Sequence, residues 1–338
     1  MSDSTQTADQ RVAAVGREGV LGIERRPVVE PGFGEVRIRV EACGICHTDS
    51  ASVGPHAHGR IPGHEIAGRI DVLGAGVEGW ERGQRVGLGF LGGHCGQCEQ
   101  CRRGNFVYCS NQPFVGMTGD GGYAESVIAR SSGLVAVPDG LTAVEAAPLL
   151  CAGFTVYNAL CKADVQPEEL VAVQGIGGLG HLALQYARAM GHRVVAIARG
   201  QEKEALSREL GADDYVDSTA SDAVERLQAL GGVDVVVSTV SGGTASGLIP
   251  ALNPGGRLVI VGASDEPVQV PPSSLLFNDV RVIGSLTGSS VENEDNLRFA
   301  VRHGIRALSE TRPLEDAADA YDRMLSGKAR FRMVLDLA

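Results

Sequence analysis

Aromatic residues, basic residues and long apolar runs are all scarce in this sequence. Aromatic side chains make up only 4% of the 338 residues, while glycine occurs 46 times, which indicates many tight turns and close approaches of the backbone. No apolar run approaches the ~20 residues that cross a bilayer, and the polar start MSDSTQTADQ lacks the apolar centre of a secretory signal. We therefore expect no membrane partner, no export and a loose N-terminal tail.

The shortage of basic residues leaves the chain acidic. It has 30 Lys and Arg against 41 Asp and Glu, a formal net charge of −11 at pH 7. This charge argues against nucleic acid and anionic membranes as partners, because both are negatively charged. It does not exclude a local basic patch that binds one of them. Charged residues at 21% and hydrophobic residues at 43% are typical of globular proteins, and they exclude a largely disordered, collagen-like or coiled-coil chain. The length fits about two domains.

Eight cysteines occur in a chain without an export signal. In a reducing cytosol, cysteines more often bind metal or remain thiols than form disulfides. We therefore expect a cytoplasmic protein in which several cysteines are metal ligands.

The sequence pattern changes near residue 150. Before it, residues 34–44, 64–74 and 83–90 read as half-buried strands between glycine-rich turns. After it, helical segments such as 178–190 alternate with short apolar strands at 170–175, 193–198, 215–216, 233–239, 257–262 and 280–286. This alternation predicts a parallel sheet with helices on both faces, a doubly wound α/β domain. A helical stretch at 292–303 and a strand-like end at 331–337 are expected to pack back on the first domain.

The segment from Gly175 to Gly180 reads G-I-G-G-L-G and matches the G-x-G-x-x-G fingerprint of dinucleotide-binding domains. The match alone is weak in a glycine-rich chain, but it directly follows a predicted strand and opens a predicted helix. Here Gly175 permits the tight turn, Gly177 admits the pyrophosphate and Gly180 allows close packing of helix on strand. Gly178 and Leu179 complete the predicted cofactor loop. The alternative is a glycine-rich turn that binds no ligand.

The end of the second strand of this domain indicates which nicotinamide cofactor is preferred. An acidic residue there binds the ribose 2′-OH of NAD(H), whereas an arginine suits the 2′-phosphate of NADP(H). The chain has Ala198, Arg199 and Gly200 at this point and no acid at the strand end. We expect NADP(H) to be preferred over NAD(H), with Lys203 and, at a later strand end, Gly262 also binding cofactor. The alternative is a solvated Arg199 with a weak preference or a preference for NAD(H).

Four cysteines follow the spacing C-x-x-C-x-x-C-x7-C. Thiolates this close can form a tetrahedron around one Zn²⁺, and the metal would be structural because protein fills all four coordination positions. An iron–sulfur cluster and free thiols are the alternatives. The four residues are Cys95, Cys98, Cys101 and Cys109.

A second set of metal-binding residues is scattered. Cys46 lies in CGICHTD, His64 in PGHE and Cys151 in PLLCAG, and two thiolates with one imidazole leave one coordination position open, as catalytic zinc sites do. Spacing alone does not join these three residues. We expect Cys43 and Cys161, outside both sets, to pack as small apolar residues. Together with DGGYAE, the four-cysteine run and GIGGLG, the ordered motifs resemble the zinc-dependent alcohol dehydrogenases of the medium-chain dehydrogenase/reductase superfamily, from about residue 34 to 286.

The resemblance implies roles for individual residues. It implies that Cys46, His64 and Cys151 bind a catalytic zinc. Glu65 would sit beside this metal, and Asp49 matches a carboxylate that orients the ligand histidine. Taken singly, each of these residues also fits an ordinary role in the core or on the surface.

The resemblance further implies a hydride transfer between a zinc-bound substrate and nicotinamide. Thr48 matches the hydroxyl that hydrogen-bonds the substrate oxygen and begins a proton relay, with a structural turn hydroxyl as the alternative. His47 matches a residue that touches the cofactor pyrophosphate, and a solvated histidine is its alternative. Phe90 matches an aromatic residue of the substrate pocket, with core packing as its alternative.

One position departs from the family. Its proton relay often ends at a histidine five residues after the ligand cysteine, where this chain has Ala51. The proton must therefore leave through ribose hydroxyl and water, through His47, or through His56 or His58 in the loop that follows. The resemblance also implies that the loop over residues 50–60 is shorter than in close relatives, where it borders the substrate cleft. The resemblance therefore does not identify the substrate.

The complete prediction is an α/β protein with a GroES-like, mainly-β catalytic domain over 1–152 and a doubly wound Rossmann cofactor domain over 153–288. Residues 289–338 would return to the catalytic domain. The predicted function is an NADP(H)-preferring alcohol dehydrogenase with two Zn²⁺ per chain, acting mainly as an aldehyde reductase and, by analogy, as a dimer or tetramer. The alternatives are reduction of an activated C=C or C=N bond, and a non-catalytic zinc- and nucleotide-binding redox sensor.

Overall fold

The structure, a computed structural model, describes residues 9–219, 223–240, 242–262 and 264–338. Its contacts divide the chain into two compact units. Unit 1 takes Met1–Cys151, Gly288–Val301 and Ala307–Ala338, and unit 2 takes Ala152–Thr287 and Arg302–Arg306. The domain borders inferred from the sequence stay a prediction.

The strands of the described chain are β1 (Asp9–Val15), β2 (Leu21–Pro27), β3 (Glu35–Ile45), β4 (Glu65–Leu73), β5 (Arg85–Leu88), β6 (Ser126–Arg130), β7 (Leu134–Ala136), β8 (Leu170–Gln174), β9 (Arg193–Ala198), β10 (Asp214–Asp217), β11 (Val233–Ser238), β12 (Leu252–Ile260), β13 (Arg281–Gly284), β14 (Ser309–Pro313) and β15 (Arg332–Asp336).

The α-helices are α1 (Glu99–Arg102), α2 (Ala143–Pro148), α3 (Phe154–Ala163), α4 (Gly180–Ala189), α5 (Glu204–Glu209), α6 (Ala223–Ala229), α7 (Gly242–Ser246), α8 (Pro272–Asn278), α9 (Ser290–His303) and α10 (Ala317–Leu325). A π-helical turn, Leu149–Gly153, joins α2 to α3. Short 3₁₀ turns lie at His47–Ser52, Pro55–Ala57, Phe106–Tyr108, Ser131–Gly133, Ile249–Ala251 and Leu314–Asp316.

Unit 1 is built on a mainly antiparallel sheet in the order β14-β15-β3-β4-β5-β7, with β6 also paired to β3. The alternating pattern of β3 buries Val36, Ile38 and Val40 in the core. Because its neighbours run antiparallel to it, the end of β3 lies beside the starts of β4 and β15. This edge of the sheet carries the first candidate site.

Unit 2 contains a parallel six-stranded sheet in the order β10-β9-β8-β11-β12-β13. All five residues of β8 are buried, as expected for a central strand covered on both faces. Helix α4 packs against β8 and β9. The predicted doubly wound α/β fold is confirmed.

Several expectations from the sequence need correction. Asp9 and Gln10, which were expected in a loose tail, belong to β1, which pairs with β2 in a hairpin; the other residues of that expected tail, 1–8, lie outside the described part of the chain. Strand β12 begins at Leu252 rather than at residue 257. Its pairing with β11 shifts register at this point, so the Pro-Gly-Gly residues that resemble a turn form an irregularity within the strand. Cys161 is exposed rather than packed, whereas Cys43 is buried as expected.

One helical run is longer and more apolar than the sequence analysis expected, because no run of membrane-spanning length was predicted. Residues Ala143–Ala163 form 21 consecutive helical positions with a mean hydropathy of 1.3, enough by length and composition to cross a membrane. Of the most apolar 18-residue stretch in this run, 78% is buried inside the protein. A core helix of a globular protein passes the same test, so this run carries little weight as a membrane span.

Candidate functional site

The first candidate site lies where three strands of unit 1 meet. Cys46 follows the end of β3, while His64 directly precedes β4 and Glu65 is its first residue. Cys151 lies on the π-helical turn after α2, which packs against β3 and β4. Gly44 is required beside them, because a Cβ there would lie 1.9 Å from Oε2 of Glu65. The topology therefore brings together three motifs that are distant in sequence.

These four side chains form a buried group of metal-binding atoms. One ligand atom from each of Cys46, His64, Glu65 and Cys151 lies within 4.8 Å of all the others. In the described part of the chain, Nε2 of His64 and Oε2 of Glu65 have no hydrogen-bond partner. Buried polar atoms without partners are costly, and sulfur with imidazole nitrogen is a donor set that Zn²⁺ prefers. The group therefore fits a zinc ion.

Asp49 connects this group to the surrounding core. Its Oδ1 lies 2.8 Å from Nδ1 of His64, and its Oδ2 accepts hydrogen bonds from the Cys46 backbone N–H at 2.9 Å and the Tyr123 hydroxyl at 2.8 Å. Asp49 and Tyr123 are both buried. One carboxylate thus fixes the start of the 3₁₀ turn and faces the imidazole, leaving Nε2 as the nitrogen available to a metal.

Glu65 has a buried counter-charge that lies far away in sequence. Arg332, the first residue of β15, donates from Nη2 to Oε1 of Glu65 and to the Ile45 carbonyl. The side chains are only 5% and 0% exposed, and 267 positions separate them. The antiparallel pairing of β15 with β3 places this guanidinium beside the group.

The charges around the group shift its pKa values. A hydrogen bond from Cys151 lowers the pKa of Cys46 well below its usual range, against the effect of burial, and His64 lowers it further. Burial opposes protonation of His64, but Asp49 and Cys46 together raise its pKa well above the usual value. Burial raises the pKa of Glu65 to about 7, because it outweighs the opposing charge of Arg332. The chain's own charges therefore favour a Cys46 thiolate, the form that binds metal.

The remaining residues predicted for this site lie on its exposed side or against its histidine. His47 and Thr48 are exposed on the 3₁₀ turn, and neither side chain forms a hydrogen bond within the described residues. The Phe90 ring contacts His64 edge-on, with ring centres 5.2 Å apart. His56 donates from Nε2 to the Ala51 carbonyl at 3.2 Å.

His58, the second histidine of this loop, contacts a different part of unit 1. Its Nδ1 lies 3.2 Å from the carbonyl oxygen of Val15, at the end of β1. Of the two loop histidines, His56 is therefore the one in contact with Ala51.

The second candidate site is the four-cysteine group, which is local in sequence. Helix α1 begins after Cys98 and carries Cys101, and a 3₁₀ turn precedes Cys109. Four of the six Sγ–Sγ distances lie between 3.4 Å, for Cys98–Cys101, and 4.0 Å, for Cys95–Cys101. All four sulfur atoms lie within 4.8 Å of one another, so this group also fits a metal ion.

Backbone N–H groups favour thiolates in this second group. Hydrogen bonds from the N–H groups of Cys101 and Ser110 lower the pKa of Cys98 to about 5. The N–H groups of Cys95 and Asn111 both donate to Sγ of Cys109, each at 3.4 Å. The loop itself therefore supplies the donors that stabilise negative sulfur.

In unit 2, the predicted cofactor loop follows β8 and precedes α4. Gly175 has a φ of +88°, which favours glycine. A Cβ on Gly180 would lie 1.9 Å from the Gly175 carbonyl oxygen, whereas one on Gly177 would meet nothing within 4 Å. The loop is thus closed against its own helix and open at Gly177, as an approaching phosphate requires.

The end of β9 carries the residues predicted to select the cofactor. Ala198 ends the strand, and Arg199 is exposed and forms no ion pair within the described residues. The Gly200 N–H donates to Oδ1 of Asp217 at 2.9 Å. Lys203 turns back on the loop, with Nζ 2.7 Å from the Ile176 carbonyl oxygen.

Gly262 lies two residues beyond the end of β12. A Cβ there would lie 2.9 Å from the backbone of Thr239, so the strand ends approach closely at this point.

Two family models match separate parts of the chain. Residues 32–139 match the family model for the alcohol dehydrogenase GroES-like domain, and residues 178–302 match that for zinc-binding dehydrogenases. The alcohol dehydrogenase notN of Aspergillus sp. (strain MF297-2) is 44% identical over 321 residues, 94% of each chain. The chain belongs to the zinc-dependent alcohol dehydrogenases.

Further relatives of this alcohol dehydrogenase cover nearly its whole length. An alcohol dehydrogenase of Geobacillus stearothermophilus is 39% identical over 336 residues, 96% of this chain and 98% of the relative. The solved structure of a cinnamyl alcohol dehydrogenase from Sorghum bicolor has a TM-score of 0.87 at 32% identity and covers 97% of this chain and 98% of its own. CAD from Helicobacter pylori, complexed with NADP(H), has a TM-score of 0.85 at 26% identity over 97% and 98%.

The family assignment confirms the predicted GroES-like and Rossmann-type fold and the oxidoreductase class. The enzyme is a zinc-type alcohol dehydrogenase that acts on small molecules with a nicotinamide cofactor.

Sequence reasoning missed two residues of the first site. Tyr123 lies within the motif DGGYAE, and a buried tyrosine hydroxyl needs a partner, so its sequence context could have indicated a role. Arg332 has no such signal, because only strand pairing brings it to Glu65.

Proposed function

We propose that the enzyme is an NADP(H)-preferring aldehyde reductase with two Zn²⁺ per chain. Cys46, His64 and Cys151 would bind the catalytic ion, with Glu65 beside it, and the four-cysteine group would bind the structural ion. The observation that carries the proposal is the buried Cys46–His64–Glu65–Cys151 group, with the exposed Thr48 on the 3₁₀ turn that follows Cys46.

When bound, zinc supplies a Lewis acid and the nicotinamide supplies or accepts the hydride. The chain contributes position and proton transfer. Thr48 would donate its hydroxyl proton to the substrate oxygen during reduction and take it back during oxidation. Asp49 would hold His64, and Phe90 would give the substrate an apolar wall that excludes water.

His56 would be the group that exchanges this proton with solvent. It is exposed, and its ring lies against Ala51, where the family often has the last histidine of the relay. A His56→Ala variant should lose one limb of the pH–rate profile, while His58→Ala, whose ring contacts Val15, should keep it. Identical profiles for both variants would eliminate this role.

The NADP(H) preference rests on the end of β9. Ala198 cannot repel a 2′-phosphate, and the exposed Arg199 can pair with one. A neighbouring carboxylate is already engaged, because Oδ1 of Asp217 accepts hydrogen bonds from the N–H groups of Gly200 and Thr219 and from the Thr219 hydroxyl.

The test is reduction of cinnamaldehyde with equimolar NADPH or NADH, with identification of the product. We expect cinnamyl alcohol, formed faster with NADPH. A saturated aldehyde would instead mean C=C reduction, and cofactor binding without turnover of any aldehyde would support a redox sensor.

A matched pair of variants tests the role of Arg199. Arg199→Ala should weaken NADPH binding by roughly tenfold or more and leave NADH unchanged, because a charge-assisted hydrogen bond to the 2′-phosphate is lost. Arg193→Ala, at the opposite end of the same strand, is the control and should change neither. Equal effects on both cofactors would remove the argument for NADP(H).

We also propose that the enzyme is a cytoplasmic homo-oligomer, a dimer or tetramer. Strand β13 ends the six-stranded sheet, and Leu276 and Phe277 on α8 are 77% and 83% exposed. An apolar surface beside a sheet edge favours self-association. Light scattering should give a smaller mass for Phe277→Glu than for the unaltered enzyme.

A further inference from the structure

Three consecutive carbonyl groups of the cofactor loop are each held by a side chain from a different segment of unit 2. Two of these bonds come from donors outside the loop's own helix, and one comes from its first turn. The bonds are Thr239 Oγ1 to Gly175 O at 3.0 Å, Lys203 Nζ to Ile176 O at 2.7 Å and His181 Nδ1 to Gly177 O at 2.8 Å.

Holding the carbonyl groups also orients the N–H groups of the loop. In a planar trans peptide, the carbonyl of one residue and the N–H of the next point in opposite directions. The N–H groups of Ile176, Gly177 and Gly178 are therefore turned away from the three side chains, and they donate to no acceptor within the described part of the chain. Donors of this kind before a helix form a ready binding site for a phosphate.

The three side chains differ in how well they hold the loop. The Thr239 hydroxyl has one proton and lies 3.0 Å from both the Gln174 and the Gly175 carbonyl oxygens, so its hydrogen bond is shared. Lys203 belongs to the segment that also carries Arg199, where it can meet the cofactor directly. His181 is fully buried in the first turn of α4, so its ring cannot touch a bound cofactor and would act on one through the Gly177 carbonyl.

The contact also fixes the tautomer of His181. A carbonyl oxygen can only accept, so Nδ1 must carry the proton. The same Gly177 oxygen accepts the backbone N–H of His181 at 3.1 Å, so one residue donates two hydrogen bonds to it. This pair of bonds holds the Gly177 carbonyl and thereby aims the N–H of Gly178.

We propose that His181 is a positioning residue for the cofactor pyrophosphate. Its Nδ1–H holds the Gly177 carbonyl so that the Gly178 N–H faces the phosphate before the cofactor binds. This role rests on dinucleotide binding by the loop, and it adds a residue outside the glycine fingerprint to that function.

The experiment measures dissociation constants of the full-length enzyme for NADPH by nucleotide fluorescence, with no turnover required. His181→Asn keeps an N–H donor at the place of Nδ1, whereas His181→Leu removes it and His181→Gln moves it toward Nε2. We expect His181→Leu and His181→Gln to bind NADPH roughly tenfold more weakly, the factor for one lost hydrogen bond, and His181→Asn to stay close to the unaltered enzyme.

Adenosine 2′-monophosphate is the control ligand, because it carries the adenosine end of NADPH without the pyrophosphate. Its affinity should be equal in all four proteins. If the variants lose affinity for it as much as for NADPH, His181 has only a general structural role. If all variants bind NADPH equally well, the positioning role is wrong.

Two further outcomes are informative. Should His181→Leu fail to fold, the comparison of His181→Asn with His181→Gln still decides, and equal affinities would overturn the proposal. An unaltered enzyme that binds neither NADPH nor NADH would instead overturn the proposed function itself.

Discussion

The two metal-binding groups of unit 1 have similar donors but are built in opposite ways. The four-cysteine group is contained within residues 95–109, and the loop's own backbone N–H groups stabilise its sulfur atoms. The other group draws on positions 46, 64, 65 and 151 and is wholly buried. Within it, Asp49 faces His64, and Arg332, near the other end of the chain, supplies the counter-charge to Glu65.

The four-cysteine group can therefore stabilise its own loop, whereas the buried group depends on the fold of the whole unit. A local loop can gain its order from a metal, because few other contacts hold it. A buried group with an open coordination position needs side chains already held in place, since its carboxylates and thiolates cannot rely on water. The predictions below test this contrast, from the largest expected effect to the smallest.

Replacing a ligand of the buried group should remove activity but not the fold. For Cys46→Ser we expect turnover to fall by roughly a thousandfold or more, because the Lewis acid is lost, with a nearly unchanged melting temperature. Zinc content, measured by mass spectrometry, should fall from two ions per chain to one. Cys161→Ser, which alters the exposed cysteine outside both groups, is the control. Near-normal turnover in Cys46→Ser would refute the assignment.

Replacing a ligand of the four-cysteine group should lower stability but leave the activity of the folded enzyme intact. Cys98→Ser should lower stability and solubility, with the melting temperature falling by about 2–4 °C for each kcal/mol lost. Zinc content should again fall by one ion, while residual activity per folded molecule is retained. An unaltered melting curve measured by calorimetry would argue against a structural zinc in this loop.

The ion pair between Arg332 and Glu65 should contribute more to the free energy of unfolding than an exposed ion pair on the four-cysteine loop. Arg332→Met leaves Glu65 buried without its partner, and we expect a loss of about 3–5 kcal/mol in urea unfolding. Arg103→Met breaks the exposed pair with Glu99, 2.7 Å apart, and should cost less than about 1 kcal/mol.

A double variant separates the charge from the packing of Arg332. Adding Glu65→Gln to Arg332→Met removes the unpaired carboxylate and should recover part of the lost stability. No recovery, or equal losses in Arg332→Met and Arg103→Met, would contradict the distinction between a buried and an exposed pair.

The smallest effect should come from the hydrogen bond between Tyr123 and Asp49. Tyr123→Phe removes one donor to that carboxylate, so zinc should leave the buried group several-fold faster in a chelator assay. Tyr108→Phe, on an exposed tyrosine beside the four-cysteine loop, is the matched control and should leave both rates unchanged. Faster release from the four-cysteine group in Tyr123→Phe would mean that the substitution acts through the fold as a whole.

The sequence supported much of this picture wherever the signal is local. The fingerprint at Gly175–Gly180 was interpretable because a strand precedes it and a helix follows within a few residues. The alternation of apolar strands with helices predicted the parallel sheet, but the start of β12 was obscured by Pro254, Gly255 and Gly256, which the register shift absorbs. Lys203, expected near the 2′-phosphate, has its ammonium on the Ile176 carbonyl, a contact that no spacing rule predicts.

By itself, the sequence determined the fold class, the local four-cysteine group and the glycine-rich turn between β8 and α4, because these features depend on residues close together along the chain. The tertiary structure decided which residues complete the buried group. Antiparallel pairing sets the ends of β3, β4 and β15 side by side and so brings Arg332 to Glu65, and core packing directs Tyr123 to Asp49. Such contacts are fixed by strand order and burial, which a linear spacing of residues does not encode.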